Sequence, residues 1–559
     1  MRLLISFCCL CIGWSLRGQE PFRDATRDAG IEVVARVRGV SVCDPNGDGH
    51  PDLFLSVLDG PNRLFQNDGR AHFTEVGHRT PLATAGPTQT TLWADLDQDG
   101  DQDVVLGNRD VPSRIFRNDG TTFTDVTPGS GIELDARIQS GVLLDFDGDG
   151  RPDIYFTCLG SPNRLYRNLG NLTFVEVGGA AGAAQSGLSM GSLAFDYDLD
   201  GDPDLYLVRD GLQTNVLLRN DGGTFTDVSE ASGAGVVGDG MGVDAADYDL
   251  DGDFDLYITN LYENFLLENQ GDGTFREVGF GSRTNDLGMG WGTAFLDFDN
   301  DGLPDLYVAN ETGFTIGGER FNNVLYRNVG DGTFIPAALP TAAINSARSA
   351  YGTATADFNG DGLPDLFVGN SGQGSQLFLN ATDAGNHWLA VSVVAEVGEP
   401  TALGTRITCW VGSQAYVAEV RAGGSFASQH NGTVHFGLGS AARVDSLVLD
   451  WPSGRRDRYY DLAADRKYRL PATAGKTTSL PVAFRPSVGV YPNPTSGRLN
   501  FTVPLRDVRV YSATGQLINT QAGEHAHFDL PEGTAPGIYH LVGFRGMHPI
   551  VLTISYRFP

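Results

Sequence analysis

Asp297-Phe298-Asp299-Asn300-Asp301-Gly302-Leu303-Pro304-Asp305, followed at once by the apolar run Leu306-Tyr307-Val308, decides how this chain reads. Its carboxylates stand at positions 1, 3, 5 and 9 of the stretch and a glycine stands at position 6. A hard cation such as Ca²⁺ gathers about six or more oxygens. Oxygen ligands at every second residue, with a glycine that lets the backbone reverse, supply them from one short loop.

The stretch occurs seven times, opening at Asp44, Asp95, Asp145, Asp196, Asp247, Asp297 and Asp357, at spacings of 51, 50, 51, 51, 50 and 60 residues. A single copy is weak evidence, whereas a fixed period marks a repeat architecture. An EF-hand loop opens in the same way but requires a bidentate Glu at position 12 and flanking helices. Here position 9 is Asp in every copy, position 12 is never Glu, and short β-rich runs such as Leu205-Tyr206-Leu207-Val208 and Leu256-Tyr257-Ile258 follow. The loop therefore leads into a strand. The expected side-chain ligands are Asp44, Asn46, Asp48 and Asp52; Asp95, Asp97, Asp99 and Asp103; Asp145, Asp147, Asp149 and Asp153; Asp196, Asp198, Asp200 and Asp204; Asp247, Asp249, Asp251 and Asp255; Asp297, Asp299, Asp301 and Asp305; Asp357, Asn359, Asp361 and Asp365. Asn at position 3 of the first and last loops keeps an oxygen but lowers the charge, so those two sites are expected to bind less tightly.

Two further signals keep the same period. Each loop is followed by an apolar pair ending, one residue later, in Asn67, Asn118, Asn168, Asn220, Asn269, Asn328 or Asn380, and then by a strand opening on Phe73, Phe123, Phe174, Phe225, Phe275 or Phe334. The last repeat stops at Asn380 without its Phe strand, while Phe22-Arg23-Asp24-Ala25-Thr26 precedes the first loop and belongs to no repeat. If these two complete one another, the chain closes a ring of seven four-stranded units, a β-propeller, and leaves no open sheet edge. An open solenoid would need capping repeats, and none is visible. The fold class expected is all-β, a seven-bladed β-propeller followed by two small β-sandwich-like domains, with abundant glycine (73 residues) at the turns.

The net charge of −30 argues against nucleic acid or an anionic membrane as a partner. Twenty-six of the acidic side chains are the expected ligands. Seven Ca²⁺ would leave the chain at about −16, and without them the clustered charges should loosen the loops. Residues 1–18 read as a secretory signal peptide, with Arg2 ahead of an apolar run from Leu3 to Trp14, too short to span a membrane; no transmembrane span is expected in the mature chain. Export would leave Cys43, Cys158 and Cys409, read as buried small hydrophobes because their number is odd and their spacing irregular.

The Asp-x-Asp/Asn-x-Asp-Gly-x-x-Asp loops and their following strands, across Phe22 to Asn380, resemble the FG-GAP/VCBS repeats of integrin α-chain propellers and bacterial surface proteins. The resemblance implies Ca²⁺ at about seven sites, with a seventh-position carbonyl added in each loop: His50, Asp101, Arg151, Asp202, Asp253, Leu303 and Leu363. The aromatic at position 2 (Phe146, Tyr197, Tyr248, Phe298, Phe358) reads as core packing, and the metals as staples that stabilise the fold without touching a ligand. The one break in period, from Asn310 to Arg320, reads as an extended loop, either a recognition element or a tolerated insertion.

Residues 19–383 are assigned to the propeller and 384–470 to a compact β domain. The latter's strings Asn386-His387-Trp388-Leu389, Gly423-Gly424-Ser425-Phe426-Ala427-Ser428-Gln429 and His435-Phe436-Gly437-Leu438-Gly439 resemble the ASPIC/UnbV domain, a resemblance that adds architecture more than mechanism. His387, His430, His435, Arg406, Ser425, Ser428 and Asp445 are the side chains worth weighing there for catalysis, but no Gly-x-Ser-x-Gly elbow surrounds the serines. Residues 471–486 have linker composition. Residues 487–559, with Tyr491-Pro492-Asn493-Pro494, a Gly515-Gln516 turn and Gly537-Ile538-Tyr539, resemble the C-terminal sorting domain of the type IX secretion system of Bacteroidota, which implies export to the outer surface or medium through that machinery. No catalytic residues are assigned. The expected function is a secreted or cell-surface calcium-binding propeller that binds an extracellular protein or glycan without catalysis; the alternative is a secreted polysaccharide lyase or hydrolase working in the channel.

Overall fold

Each aspartate loop turns the chain from one strand straight back into the next. In the first repeat Val34–Cys43 runs into the loop, Asp52–Val57 runs back, and Arg63–Asn67 and Phe73–Glu75 follow outward, every neighbour antiparallel. The computed structural model describes residues 20–84, 86–120, 122–132, 136–315, 317–395, 401–472, 490–491, 498–531, 534–545 and 548–556. The signal-peptide reading, most of the linker and the Pro492-Asn493-Pro494 motif lie outside the described residues.

The innermost strands of the other blades are Thr88–Ala94, Ile138–Leu144, Ser189–Phe195, Gly240–Ala246, Leu287–Leu296 and Ala350–Ala356, and each lies beside the next around the ring. The ring closes as the permuted order requires. Phe22–Asp24 pairs antiparallel with Gln376–Asn380, Phe22 opposite Asn380 and Asp24 opposite Phe378, so the seventh sheet takes its outer strand from the start of the described chain. The second strand of each blade is the apolar run after the loop, and in blade 1 all six of its residues are buried. Burial on both faces is why these runs are continuous rather than alternating.

Blades pack through the aromatic at position 2, as expected. Phe146 meets Phe225, Tyr197 meets Phe275, Tyr248 meets Phe334, Phe298 meets Phe22 and Phe358 meets Phe73, with ring centroids 5.7–6.2 Å apart. In every case the partner is the Phe opening the outer strand of the following blade. Cys43, Cys158 and Cys409 are buried and free. No helix among the described residues is long and apolar enough to cross a membrane.

Beyond the ring, His387–Ala395 forms one sheet with Thr433–Gly439 and, in parallel, Arg466–Ala472. A second sheet joins Gln414–Glu419, Arg406–Val411, Arg443–Asp450 and Arg456–Ala463. Leu389, Val391, Ile407, Leu447 and Leu449 share the core between the two. This sandwich stands on the aspartate-loop face of the ring: Thr401 N–H donates to Gly150 O (2.8 Å), Asn386 Nδ2 to Asp299 O (2.9 Å) and Lys467 Nζ to Gly49 O (3.2 Å). The last unit, Arg498–Ser512, Leu517–Asp529, Gly537–Arg545 and His548–Tyr556, is one curled sheet around Leu499, Val508 and Leu541. It leans on the sandwich through Arg509 to Asp461 (2.9 Å) and Tyr460 against Tyr511.

The stretch Gly423–Gln429 of the second domain reaches out of its own sandwich and enters the propeller, a placement the sequence did not show. Gly423 pairs with Val142, Ser425 bridges to Val243 and Gln429 to Ser41, on three different blades. The backbone groups of a loop buried this deeply need partners, and the inner strands of the ring are what supply them.

Candidate metal loops and the plugged channel

In the loop at Asp297, each carboxylate is held by backbone donors that leave lone pairs free. Asp297 Oδ1 accepts the N–H of Asp301 (3.1 Å) and its Oδ2 that of Gly302 (2.8 Å); Asp301 Oδ1 accepts Leu303 N–H (3.0 Å). Asp305 reaches back, Oδ2 to Phe298 N–H (3.1 Å) and Oδ1 to Asn328 N–H (2.8 Å). Gly302 makes the reversal with φ of +94°. The same N–H to position-5 carboxylate bond fixes every seventh-position residue at the turn: His50, Asp101, Arg151, Asp202, Asp253, Leu303 and Leu363.

Five loops gather three carboxylates with ligand oxygens within 4.8 Å of one another: Asp95, Asp97 and Asp99; Asp145, Asp147 and Asp153; Asp196, Asp198 and Asp204; Asp247, Asp249 and Asp251; Asp297, Asp299 and Asp305. In the first and last loops Asn46 and Asn359 instead donate Nδ2 to Asp48 (2.8 Å) and Asp361 (2.7 Å). Buried carboxylate oxygens Asp97 Oδ1, Asp147 Oδ1, Asp198 Oδ1 and Asp247 Oδ1 have no hydrogen-bond partner. Burial, with the charge of facing carboxylates, pushes Asp95, Asp145, Asp196 and Asp357 up to about 6, Asp247 to about 7, Asp52, Asp103 and Asp153 to about 8 and Asp204 to about 9. Oxygen-only donors, orphaned anionic oxygens and mutual repulsion together fit a hard divalent cation. Arg167 bridges Asp147 (2.5 Å) and Asp149 (3.2 Å), and Arg327 bridges Asp299 (2.8 Å) and Asp301 (2.9 Å), so two loops carry part of their neutralisation in the chain itself.

The periodic asparagines, visible in sequence but without a role there, are inter-blade latches. Asn118 Nδ2 donates to Pro45 O (2.8 Å), Asn168 to Leu96 O (2.9 Å), Asn220 to Phe146 O (2.8 Å), Asn269 to Tyr197 O (2.9 Å), Asn328 to Tyr248 O (2.8 Å) and Asn380 to Phe298 O (2.7 Å). Each acceptor is position 2 of the preceding blade's loop. The backbone N–H of the same Asn goes to the position-9 aspartate of its own loop, as Asn67 to Asp52 (2.7 Å). The aspartate loops and the blade seams are therefore one connected network.

The channel is filled by the second domain's loop. Ser428 Oγ accepts Val40 N–H (3.1 Å), Gln429 bonds both the N–H (2.9 Å) and the carbonyl (3.0 Å) of Trp93, and Ser425 Oγ accepts Thr293 N–H (3.1 Å). Phe426 is buried against Trp291, ring centroids 4.7 Å apart. The inner strands make room with small residues: a Cβ on Gly39 would stand 2.1 Å from Ala427 O, and one on Gly352 2.5 Å from Ser428 Oγ. Glycine five residues before the loop aspartate recurs at Gly191, Gly242 and Gly292, a periodic signal from which the close approach could have been inferred.

The side chains weighed for catalysis are dispersed. His387 Nδ1 meets Asp465 (2.8 Å), His430 faces Thr355, His435 Nε2 meets Asn300 Oδ1 (2.7 Å), and Arg406 bonds Gly252 O. Ser425 and Ser428 belong to the plug, and Asp445 accepts Gly412 N–H (2.6 Å) and faces Arg509. Burial lowers His435 to about 4 and holds it neutral.

The FG-GAP-like repeat family matches residues 44–106, 95–156, 145–207, 196–258, 248–308 and 297–368, which together run over more than half of the chain. The chain belongs to the FG-GAP-like repeat family. A further FG-GAP repeat covers residues 349–389 of this FG-GAP protein, and the ASPIC and UnbV family matches residues 396–477. It is 26% identical over 140 residues to human cartilage acidic protein 1, covering 23% of this chain and 21% of that protein, so the match spans about a fifth of the relative's length. Among solved structures it is similar to the Vibrio cholerae biofilm matrix protein Bap1 (TM-score 0.30, 14% identity, 94% of this chain and 80% of that one). It is also similar to the rhamnogalacturonan lyase YesW (TM-score 0.37, 13% identity, 62% and 72%).

Proposed function

We propose that this FG-GAP protein is a secreted or surface-displayed propeller, stiffened by Ca²⁺ at about seven loops, that binds an extracellular protein or glycan and performs no catalysis. The reading is carried by the buried, partnerless carboxylate oxygens of the loops, which call for a cation, at blade corners where that cation acts as a staple. The N-terminal segment is the export signal and the C-terminal sheet the address read by type IX machinery. The channel alternative, a polysaccharide lyase or hydrolase, needs acid–base side chains around an open cavity. The loop from Arg421 to His430 occupies that space from the aspartate-loop face, which weighs against it.

The full chain in millimolar Ca²⁺, applied to arrays of extracellular proteins and of glycans, is expected to capture a ligand on one of them and to release no unsaturated sugars from pectic or algal polymers. Silence on both arrays, or the appearance of unsaturated products, would overturn the proposal.

A further inference from the structure

Between the loop face of blades 5 to 7 and the ASPIC and UnbV sandwich lies a cavity of about 230 Å³. Its walls include the rings of Phe254, Phe295, Tyr416 and Phe436, and its polar lining includes Asp244, Glu419, Arg421 and His430 together with the loop-opening carboxylates Asp247, Asp297 and Asp357. Thr355 N–H points at His430 Nδ1 (3.3 Å), so the ring proton sits on Nε2. That Nε2–H is 3.8 Å from Asp244 Oδ2, beyond hydrogen-bond reach, and has no partner. Arg421 donates Nη2 to Ala245 O (2.7 Å), while its buried Nη1 has none. Asp244 accepts one N–H on each oxygen, from Ala245 (2.9 Å) and Phe295 (2.8 Å), which leaves each oxygen a free lone pair. Glu419 Oε2 has one long bond, 3.4 Å from Asp196 N–H.

Two orphan donors and two under-used carboxylates therefore line one apolar-walled space. The carboxylates repel an anion; those of Asp247, Asp297 and Asp357 are engaged by the glycine N–H groups of their own loops, and at the end lined by Asp244 and Glu419 the guanidinium of Arg421 disfavours a cation. A neutral ligand whose hydroxyls each donate and accept satisfies both sets at once, and the C–H faces of a sugar ring suit flat aromatic walls. We infer that this interdomain cavity is a binding site for a single neutral sugar residue. The inference rests on the glycan arm of the proposed function and gives it a location.

The test uses the full chain in Ca²⁺ with free glucose, galactose, mannose, xylose and N-acetylglucosamine, followed by calorimetry and saturation-transfer NMR. At least one is expected to bind. His430→Phe and Arg421→Met, each removing one orphan donor, are expected to weaken that sugar about tenfold, the loss of a hydrogen bond to a buried polar site. Because either variant could lose its fold, the wild type is also crystallised and soaked, and density for the sugar is expected in the cavity. If none of the five binds, or the soaked sugar lies elsewhere, or folded variants keep full affinity, the cavity assignment falls. Glycan capture on the arrays in that case would leave the broader reading standing, whereas loss of array capture would remove that too.

Discussion

Asn67 Nδ2 donates to the carbonyl of Phe358, 2.8 Å away and 291 residues later in the chain. It is the seventh of the Asn latches and the one that joins the first blade to the last. The outer strand beginning at Phe22 seals the seventh sheet on itself, and Asn67 then ties that blade to the first.

Asn67 also donates to Pro51 O (3.0 Å) and accepts Gly69 N–H (3.1 Å), so truncation strands several buried groups at once. Asn67→Ala is expected to cost about 2–4 kcal/mol, the penalty for two or so unsatisfied buried carbonyls. Thermal unfolding in Ca²⁺ should show a clear drop in Tm, against little change for Glu32→Ala on the exposed surface. Equal melting of both variants would remove the latch.

Chelation should lower the Tm markedly, because all the loops lose their counter-charge together. Calorimetric titration of Ca²⁺ back into the stripped protein is expected to resolve tighter sites and a weaker pair. The weak pair belongs to the loops at Asp44 and Asp357, where Asn46 and Asn359 tie up the fifth-position carboxylate. An unchanged melting curve in chelator would dispose of the metal assignment.

The metal-free form should respond to pH in an unusual direction. Burial raises the native pKa of Asp52, Asp103 and Asp153 to about 8, above the unfolded carboxylate value, so the native state holds more protons between roughly pH 4 and 8. Stability is then greatest at the acid end of that window and is lost as pH rises through about 8. The Tm of the stripped protein is expected to fall from pH 5 to 8.5, and that of the Ca²⁺-loaded protein to stay flat or rise. A stripped-protein Tm that climbs over this range would contradict the burial of these groups.

Gln429 reaches 336 residues back to hold both backbone groups of Trp93. Gln429→Ala leaves a buried N–H and a buried carbonyl unpaired, at about 2–4 kcal/mol. Limited proteolysis should then cut between the ring and the sandwich far faster than in the wild type. Gly39→Val, which drives a side chain into the Ala427 carbonyl, should have the same effect. Resistance equal to wild type in both variants would mean the plug does not couple the two units.

The loops, their oxygens, the seven-fold count and the closing strand were legible because each is a short-range pattern repeated at one spacing. Position-2 aromatics such as Phe146 could be assigned to the core, since an apolar ring in a polar loop has little else to do. The role of Asn67 and its equivalents could not, since an Asn in sequence shows four hydrogen-bonding sites but not which blade faces it. The plug's entry into the ring was hidden for the same reason. Gly423-Gly424-Ser425 looks like a turn within a small domain, and its partners Val142, Val243 and Ser41 are hundreds of residues away.

Sequence alone determined that this is a ring of seven aspartate-looped sheets closed by its own first strand, because loop chemistry and strand pairing are written into neighbouring residues at a constant period. Tertiary structure decided what seals the seams, what fills the channel and which charged groups meet beneath the second domain. Those outcomes depend on the curvature that brings blade 7 to blade 1 and lowers Ser425 and Gln429 among inner strands, and no local pattern encodes the distance between residues so far apart along the chain.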